Sequence, residues 1–248
     1  MEFRPPGLLY AGLFFILLCI FPLSGINAAP QLKTIDTPTA ATLAKGGYSI
    51  GIWGYDNGGI FTRALMGIHD SIFLGVSFDT QNLIGSGAPV FNIPGVIGRI
   101  KITDGFDDFP LLIAVGYDAF YGNDSASSLR QSWTSLRMIY GPYVVFTKPL
   151  FLLKHEQSFN LGLRTPIQPV ARPEDTSLFL SLNFPIGQFI PMFEIERIFF
   201  SVARFNEILF NIGFRYELYD DFAIELNLLM TFNQPASRVL TFEYVGAF

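Results

Sequence analysis

The sequence predicts a closed antiparallel transmembrane β-barrel of about 12 strands, within roughly 10 to 14. Three observations predict it: a composition too apolar for an ordinary soluble domain, apolar residues recurring with period two, and no run long enough for a spanning helix. Of 248 residues, 50% are hydrophobic and 15% charged, with 27 Phe against 16 Lys and Arg together. Soluble domains carry about 25% charged residues, and disordered chains are poor in aromatics. The formal net charge of −5 speaks against a polyanion binder. Beyond residue 29 no segment reaches the roughly 18 consecutive apolar residues that mark a transmembrane helix.

Residues 1–28 read as a secretory signal peptide: Arg4 supplies the positive start, Leu8 to Phe21 the apolar run, and Pro22 to Ala28 a turn-prone end in small residues. The alternative, an uncleaved anchor, needs an apolar run of about 20 residues, and this one is shorter. Cys19, the one cysteine of the sequence, lies within the apolar run, so the exported chain would carry no disulfide. Leu17 and Leu18 before it are too large for a lipoprotein processing site. Residues 29–45 are polar and do not alternate. They are expected to form a periplasmic tail, as is common at termini, with a plug in the lumen as the alternative. Residues 46–248 are then consumed by one barrel.

Alternation is clearest in the last third. Ile208, Phe210, Ile212, Phe214, Tyr216 and Leu218 share one face, with Asn211, Gly213, Arg215 and Glu217 on the other. Past Tyr219-Asp220-Asp221 the pattern resumes with Phe222, Ile224, Leu226, Leu228 and Met230, a hairpin with one apolar and one polar wall. The same reading places strands at 46–55, 59–68, 71–79, 94–103, 109–119, 134–148, 156–165, 176–184, 188–197, 205–218, 221–232 and 238–248. Short turns, His69-Asp70 and Pro185-Ile186-Gly187 among them, alternate with longer loops at 80–93, 120–133 and 166–175. This is the layout of an outer-membrane barrel, with short periplasmic turns and long outer loops. An even strand count puts both termini on the periplasmic side.

A soluble barrel also alternates, so the direction of the faces needs separate evidence. Gly51, Gly75, Gly116, Gly162 and Gly213 fall on the polar faces. Glycine weakens a solvated strand, whereas the crowded interior of a narrow barrel needs small residues beside large ones. The apolar faces carry scarcely a charge, as lipid demands, and in lipid a sheet must close on itself.

The chain ends with Leu240, Phe242, Tyr244, Gly246 and the terminal Phe248 on one face. This resembles the C-terminal recognition signal of bacterial outer-membrane β-barrel proteins. The resemblance implies residence in the bacterial outer membrane and insertion by the barrel-assembly machinery, with Leu240, Phe242, Tyr244 and Phe248 as the insertion signal. Thr37-Pro38-Thr39-Ala40, Asp56-Asn57-Gly58-Gly59 and Gln81-Asn82-Leu83-Ile84-Gly85-Ser86-Gly87 also resemble an outer-membrane barrel family associated with exopolysaccharide secretion. That resemblance implies a part in polysaccharide export or assembly.

Assigning each polar face inward gives candidate lumen-lining residues. The basic ones are Arg63, Arg99, Lys101, Arg137, Arg164 and Arg215; the acidic ones are Asp79, Asp118, Glu194, Glu196, Glu217, Glu225 and Glu243. Basic positions concentrate in the earlier strands and acidic ones in the later, so closure sets a mainly basic wall against a mainly acidic one. Two arrangements are open. The walls meet in salt bridges and fill a closed lumen, as befits a structural or adhesive surface barrel. Otherwise they stand apart across water, forming a narrow channel for small polar solutes or saccharides. Catalysis is not expected: a serine nucleophile needs a base, and His69 and His155, the two histidines, fall at strand ends. Ser71, two residues from His69, reads as a turn cap. Glu194 and Glu196 lie about 7 Å apart by strand rise, conceivable for a divalent cation but more simply partners for the basic wall. No catalytic residue, metal site, cofactor or nucleic-acid partner is expected.

Overall fold

The computed structural model describes residues 30–92, 94–105, 111–118, 141–152, 155–167, 173–200, 208–232 and 234–248, without the side chains of 57, 151, 152, 155, 156, 234 and 235. Thirteen strands run along this part of the chain: β1 Gly47–Tyr55, β2 Gly59–His69, β3 Ile72–Gln81, β4 Val90–Phe91, β5 Gly95–Thr103, β6 Leu112–Tyr117, β7 Pro142–Leu152, β8 His155–Arg164, β9 Ser177–Asn183, β10 Phe189–Phe199, β11 Leu209–Tyr219, β12 Phe222–Thr231 and β13 Gln234–Ala247. Twelve of them are staves. The thirteenth, β4, is a two-residue strand pairing Val90 and Phe91 with Gln81 and Thr80, inside the expected loop 80–93. Each stave pairs antiparallel with its chain neighbour, and β1 pairs with β13 from Gly47↔Ala247 to Gly54↔Leu240. That last pairing closes the barrel and leaves the staves no free edge.

Expected and observed boundaries agree within a few residues except in three places. β7 and β8 run on to Leu152 and from His155, lengthening a hairpin expected to turn earlier. β13 begins at Gln234, because Thr231 already pairs with Gln234 across a very short connection. The expected strand residues 134–140 lie outside the described residues, as do 109, 110, 119 and 205–207 and the expected loop 120–133.

One rim carries the short turns at 70–71, 184–188 and 220–221 together with both ends of the barrel strand set, where the Phe248 N–H donates to Gly46 O. We call it the turn end and the opposite rim the loop end. At the loop end the 3-10 turn Asp56–Gly58 and the connection from β12 to β13 are tight. His69 is exposed at the turn end, where its Nδ1 accepts the Ser71 N–H, a local turn contact.

Faces sort as the alternation requires. Outward side chains such as Ile52, Leu74, Val96, Phe214 and Leu226 are exposed, whereas Ser49, Ser77, Asn160, Asn227 and Thr241 are buried inside. The protein is therefore inverted relative to a soluble domain, with an apolar exterior and a polar interior. Outward rings pair at both rims: at the turn end Tyr48 with Phe248 and Tyr244, Phe222 with Phe242, Phe189 with Phe214, and Phe184 with Phe193, and at the loop end Phe210 with Phe232. Leu240, Phe242, Tyr244 and Phe248 all belong to this exposed face.

Residues 31–43 do not form a free tail. They run into the barrel from the turn end, and Leu32, Thr34, Ile35, Thr37, Thr39, Ala40 and Leu43 are fully buried. The segment is a tight hairpin. The Thr34 N–H donates to Thr37 O at 2.9 Å and the Thr39 N–H to Leu32 O at 3.2 Å, with Lys33 opposite Pro38. Pro38 thus falls in a pair that makes no ladder bond, where its missing N–H costs nothing.

Candidate functional site

The lumen is the site, and its inner wall is built by close approach. A Cβ on Gly51 would collide with the Trp53 ring, one on Gly116 with Tyr143, and one on Gly162 with Phe179. Rings therefore lie across the inward glycines, and arginines lie across the rings. Arg63 sits 5.2 Å from the Trp53 centroid, Arg99 is 4.8 Å from Phe73 and 5.6 Å from Tyr143, and Arg164 is 5.4 Å from Phe179. A buried guanidinium needs compensation, and the negative face of a ring supplies part of it. The Arg99 Nε also donates to Tyr143 Oη at 2.7 Å.

On the acidic arc the charges are paired directly. Arg215 Nη1 reaches Glu225 at 2.8 Å and Glu243 at 2.6 Å, and its Nε lies 3.5 Å from Glu217. All four groups are buried. Arg164 meets Glu196 at 3.4 Å. Asn211 Nδ2 donates to both Glu194 (2.7 Å) and Glu196 (3.0 Å).

The hairpin occupies the space between the two arcs. Lys33 Nζ bonds Glu225 at 2.9 Å and its own Ile35 O at 2.9 Å. Glu194 Oε2 accepts the N–H groups of Ile35 (3.1 Å), Asp36 (3.0 Å) and Thr37 (2.9 Å) and the Thr37 hydroxyl (2.7 Å). On the basic arc, Arg99 donates to Ala41 O at 2.6 Å and Arg164 to Asp36 O at 3.3 Å. A polar relay crosses from the hairpin to β7 and β8: the Ala40 N–H donates to Thr147 Oγ1, whose hydroxyl donates to Asn160, and the hydroxyls of Thr34 and Ser181 stand 2.7 Å apart. Apolar contacts complete the fit. Leu32 and Leu43 pack on Leu65, Phe73 and Ile97; Ile35 joins the cluster of Trp53, Met192 and Leu229; Ala40 packs on Tyr143, Val145 and Phe179.

The structure thus brings together inside the barrel Arg63, Arg99, Arg164, Arg215, Asp79, Glu194, Glu196, Glu217, Glu225 and Glu243, all buried. Asp79 accepts from Tyr55 Oη at 2.7 Å near the loop end. Two residues lie at the rims instead: half-buried Asp118 follows β6 at the loop end, and Lys101 pairs with exposed Asp104 at the turn end. Arg137 lies outside the described residues. Neither expected arrangement of the walls holds in simple form, since they meet chiefly through the hairpin and not across open water. Two contributors escape sequence reading. Arg197 adopts φ 60° at a bulge where the β9–β10 register shifts, so it and Glu196 both face inward. Lys33 belongs to the segment expected to be a tail.

The geometry defines a class: a closed twelve-stave antiparallel barrel with a charged interior. Solved structures share that fold. The chain superposes on KdgM porin in complex with disordered oligogalacturonate with TM-score 0.53 and 12% identity, over 80% of this chain and 98% of that one. KdgM porin alone gives TM-score 0.50 over the same shares. No protein-family model matches the chain, and no curated protein matches it.

Proposed function

We propose that the protein is a bacterial outer-membrane channel of porin type for small polar solutes, saccharides among them, captured in a state closed by its own N-terminal hairpin. One observation carries this reading: the wall behind the hairpin is lined with ionised and hydrogen-bonding side chains, whereas a barrel filled only for stability could be lined with apolar ones at lower desolvation cost. The apolar exterior with rings at both rims supports lipid as its surroundings, and the short turns support the turn end as the periplasmic rim. The fold shared with KdgM porin agrees with passage of small solutes. An accessory part in exopolysaccharide export is the form this takes if the passenger is a saccharide leaving the cell. Its support is the resemblance of Thr37-Pro38-Thr39-Ala40, now the returning limb of the hairpin, and of the loop at 81–87.

The second reading is a closed structural or adhesive surface barrel, favoured by the filled lumen. Planar-bilayer recording separates the two. The purified full chain should give small discrete conductance steps with little preference between cations and anions, because opposed charges line the wall. Arg99→Glu should shift that preference toward cations. A well-inserted chain that stays silent at every voltage refutes the channel.

A further inference from the structure

Resting on the channel reading, we propose that the hairpin is a reversible ligand of a built lumen receptor, and that the Glu194 carboxylate is the latch holding its tip. Glu194 is 2% exposed, and among the described residues no Lys, Arg or His comes within ion-pair distance of it. Among the described residues its oxygens are met by the three tip N–H groups, the Thr37 hydroxyl and the Asn211 amide. Successive backbone N–H groups cradling an anion form a strong recognition unit, and here the anion belongs to the wall and the cradle to the plug. Glu225 and Glu243 differ, because Arg215 on the wall meets both whether or not the hairpin is present.

The seat is also shaped for the tip. A Cβ added to Gly213 would strike the Asn227 side chain of the wall and stand 3.0 Å from Ile35 Cγ1, so the bare backbone here serves the packing of the wall and leaves room for Ile35 as well. Tip and base are held by different means. At the base the Gly46 N–H donates to Gly67 O, the Lys45 N–H to Asp70 and the Thr42 hydroxyl to Asp70 O. Gly67 lets the chain cross this closely, since a Cβ there would strike Ala44 O. Further in, the hydrogen bonds from residues 32–41 to the barrel go to side chains, Glu194, Glu225, Thr147, Ser181, Asn160, Arg99 and Arg164, and water can replace each. Release therefore begins at the tip and pivots on the base, leaving a wall whose polar groups water can solvate.

The test uses the full chain in liposomes with Ala40→Cys as reporter, a position 0% exposed while the hairpin is seated. A water-soluble maleimide should label it slowly. Adding Glu194→Gln turns an amide N–H₂ toward donors or removes the charge they share, so labelling should rise roughly tenfold or more, as expected for a lost charged hydrogen bond. Thr37→Val, which deletes one donor at constant shape, should give a smaller rise and serves if E194Q fails to fold. In the E194Q chain, Thr34→Cys with Ser181→Cys replaces hydroxyls 2.7 Å apart. Oxidation of that pair should suppress conductance and reduction should restore it. Equal labelling of A40C with and without E194Q, in folded protein, and again with T37V, overturns the latch. Faster labelling without any conductance keeps the latch and overturns the channel.

Discussion

Two arcs of the same inner wall hold their charges by different means. From β11 to β13 the acids surround Arg215, with Glu225 at 2.8 Å and Glu243 at 2.6 Å, so these charges are paired within the wall, whereas Glu194 on β10 is met by the hairpin tip. From β2 to β8 the arginines are laid on rings, and Arg99 and Arg164 also donate to carbonyls of the inserted hairpin. The first arc is a structural unit that the hairpin joins through Lys33. The second is a row of pre-oriented cations with N–H groups aimed at whatever fills the lumen. A solute replacing the hairpin would meet a fixed acidic cluster on one side and available donors on the other.

The largest effect that sharpens this comparison is removal of the acidic arc's cation. Arg215→Met leaves Glu225 and Glu243 buried beside each other with Lys33 as the cation still bonded to the pair, and breaking a buried pair from one side costs about 3–5 kcal/mol. Urea unfolding in detergent micelles, followed by tryptophan fluorescence, should show a loss of that order. A loss under about 1 kcal/mol would mean that this cluster is no more self-contained than the basic arc.

Much of the fold was legible because period-two alternation needs no knowledge of neighbours. Phe210, Phe214 and Leu226 announce the outer face, and Asn211, Arg215 and Glu225 the inner one, from spacing alone. The site was legible as a list of inward charges but not as an arrangement. That Arg99 of β5 lies over Tyr143 of β7 depends on register across two staves, which no local pattern encodes. Arg197 was missed because a bulge breaks the very alternation used to find inward residues. The hairpin came second to a tail for a different reason: Thr34, Thr37, Thr39 and Ala40 are small and mostly polar, as a tail would be, and become a plug only against side chains brought together from strands all round the barrel. One clue was present, since Lys33 and Pro38 flank a short turn in a segment that offers Leu32, Ile35 and Leu43 for burial.

A middle-sized effect tests the basic arc. Arg99→Met removes a cation stacked on Phe73 and Tyr143 and a bond to Ala41 O, but leaves apolar rings and a neutral hydroxyl and carbonyl, not a stranded charge. The same unfolding measurement should give a loss of about 1–2 kcal/mol. Arg99→Lys keeps the charge yet lacks the planar fork that reaches both partners, so it should recover only part of that loss. If Arg99→Met costs as much as Arg215→Met, the two arcs do not differ in the way the geometry indicates.

The smallest effect isolates burial from pairing. Lys101 and Asp104 also form an ion pair, but at the turn-end rim, where the Asp104 side chain is 75% exposed. Water screens such a pair and already solvates each charge, so Asp104→Asn should change stability by less than about 0.5 kcal/mol. The Arg215 cluster and this pair are both contacts between a cation and carboxylates. What distinguishes them is that the interior groups have no solvent to return to when a partner is lost. A large response at Asp104 would therefore undercut the explanation of the acidic arc as well, because pairing alone, without enclosure, would then account for both.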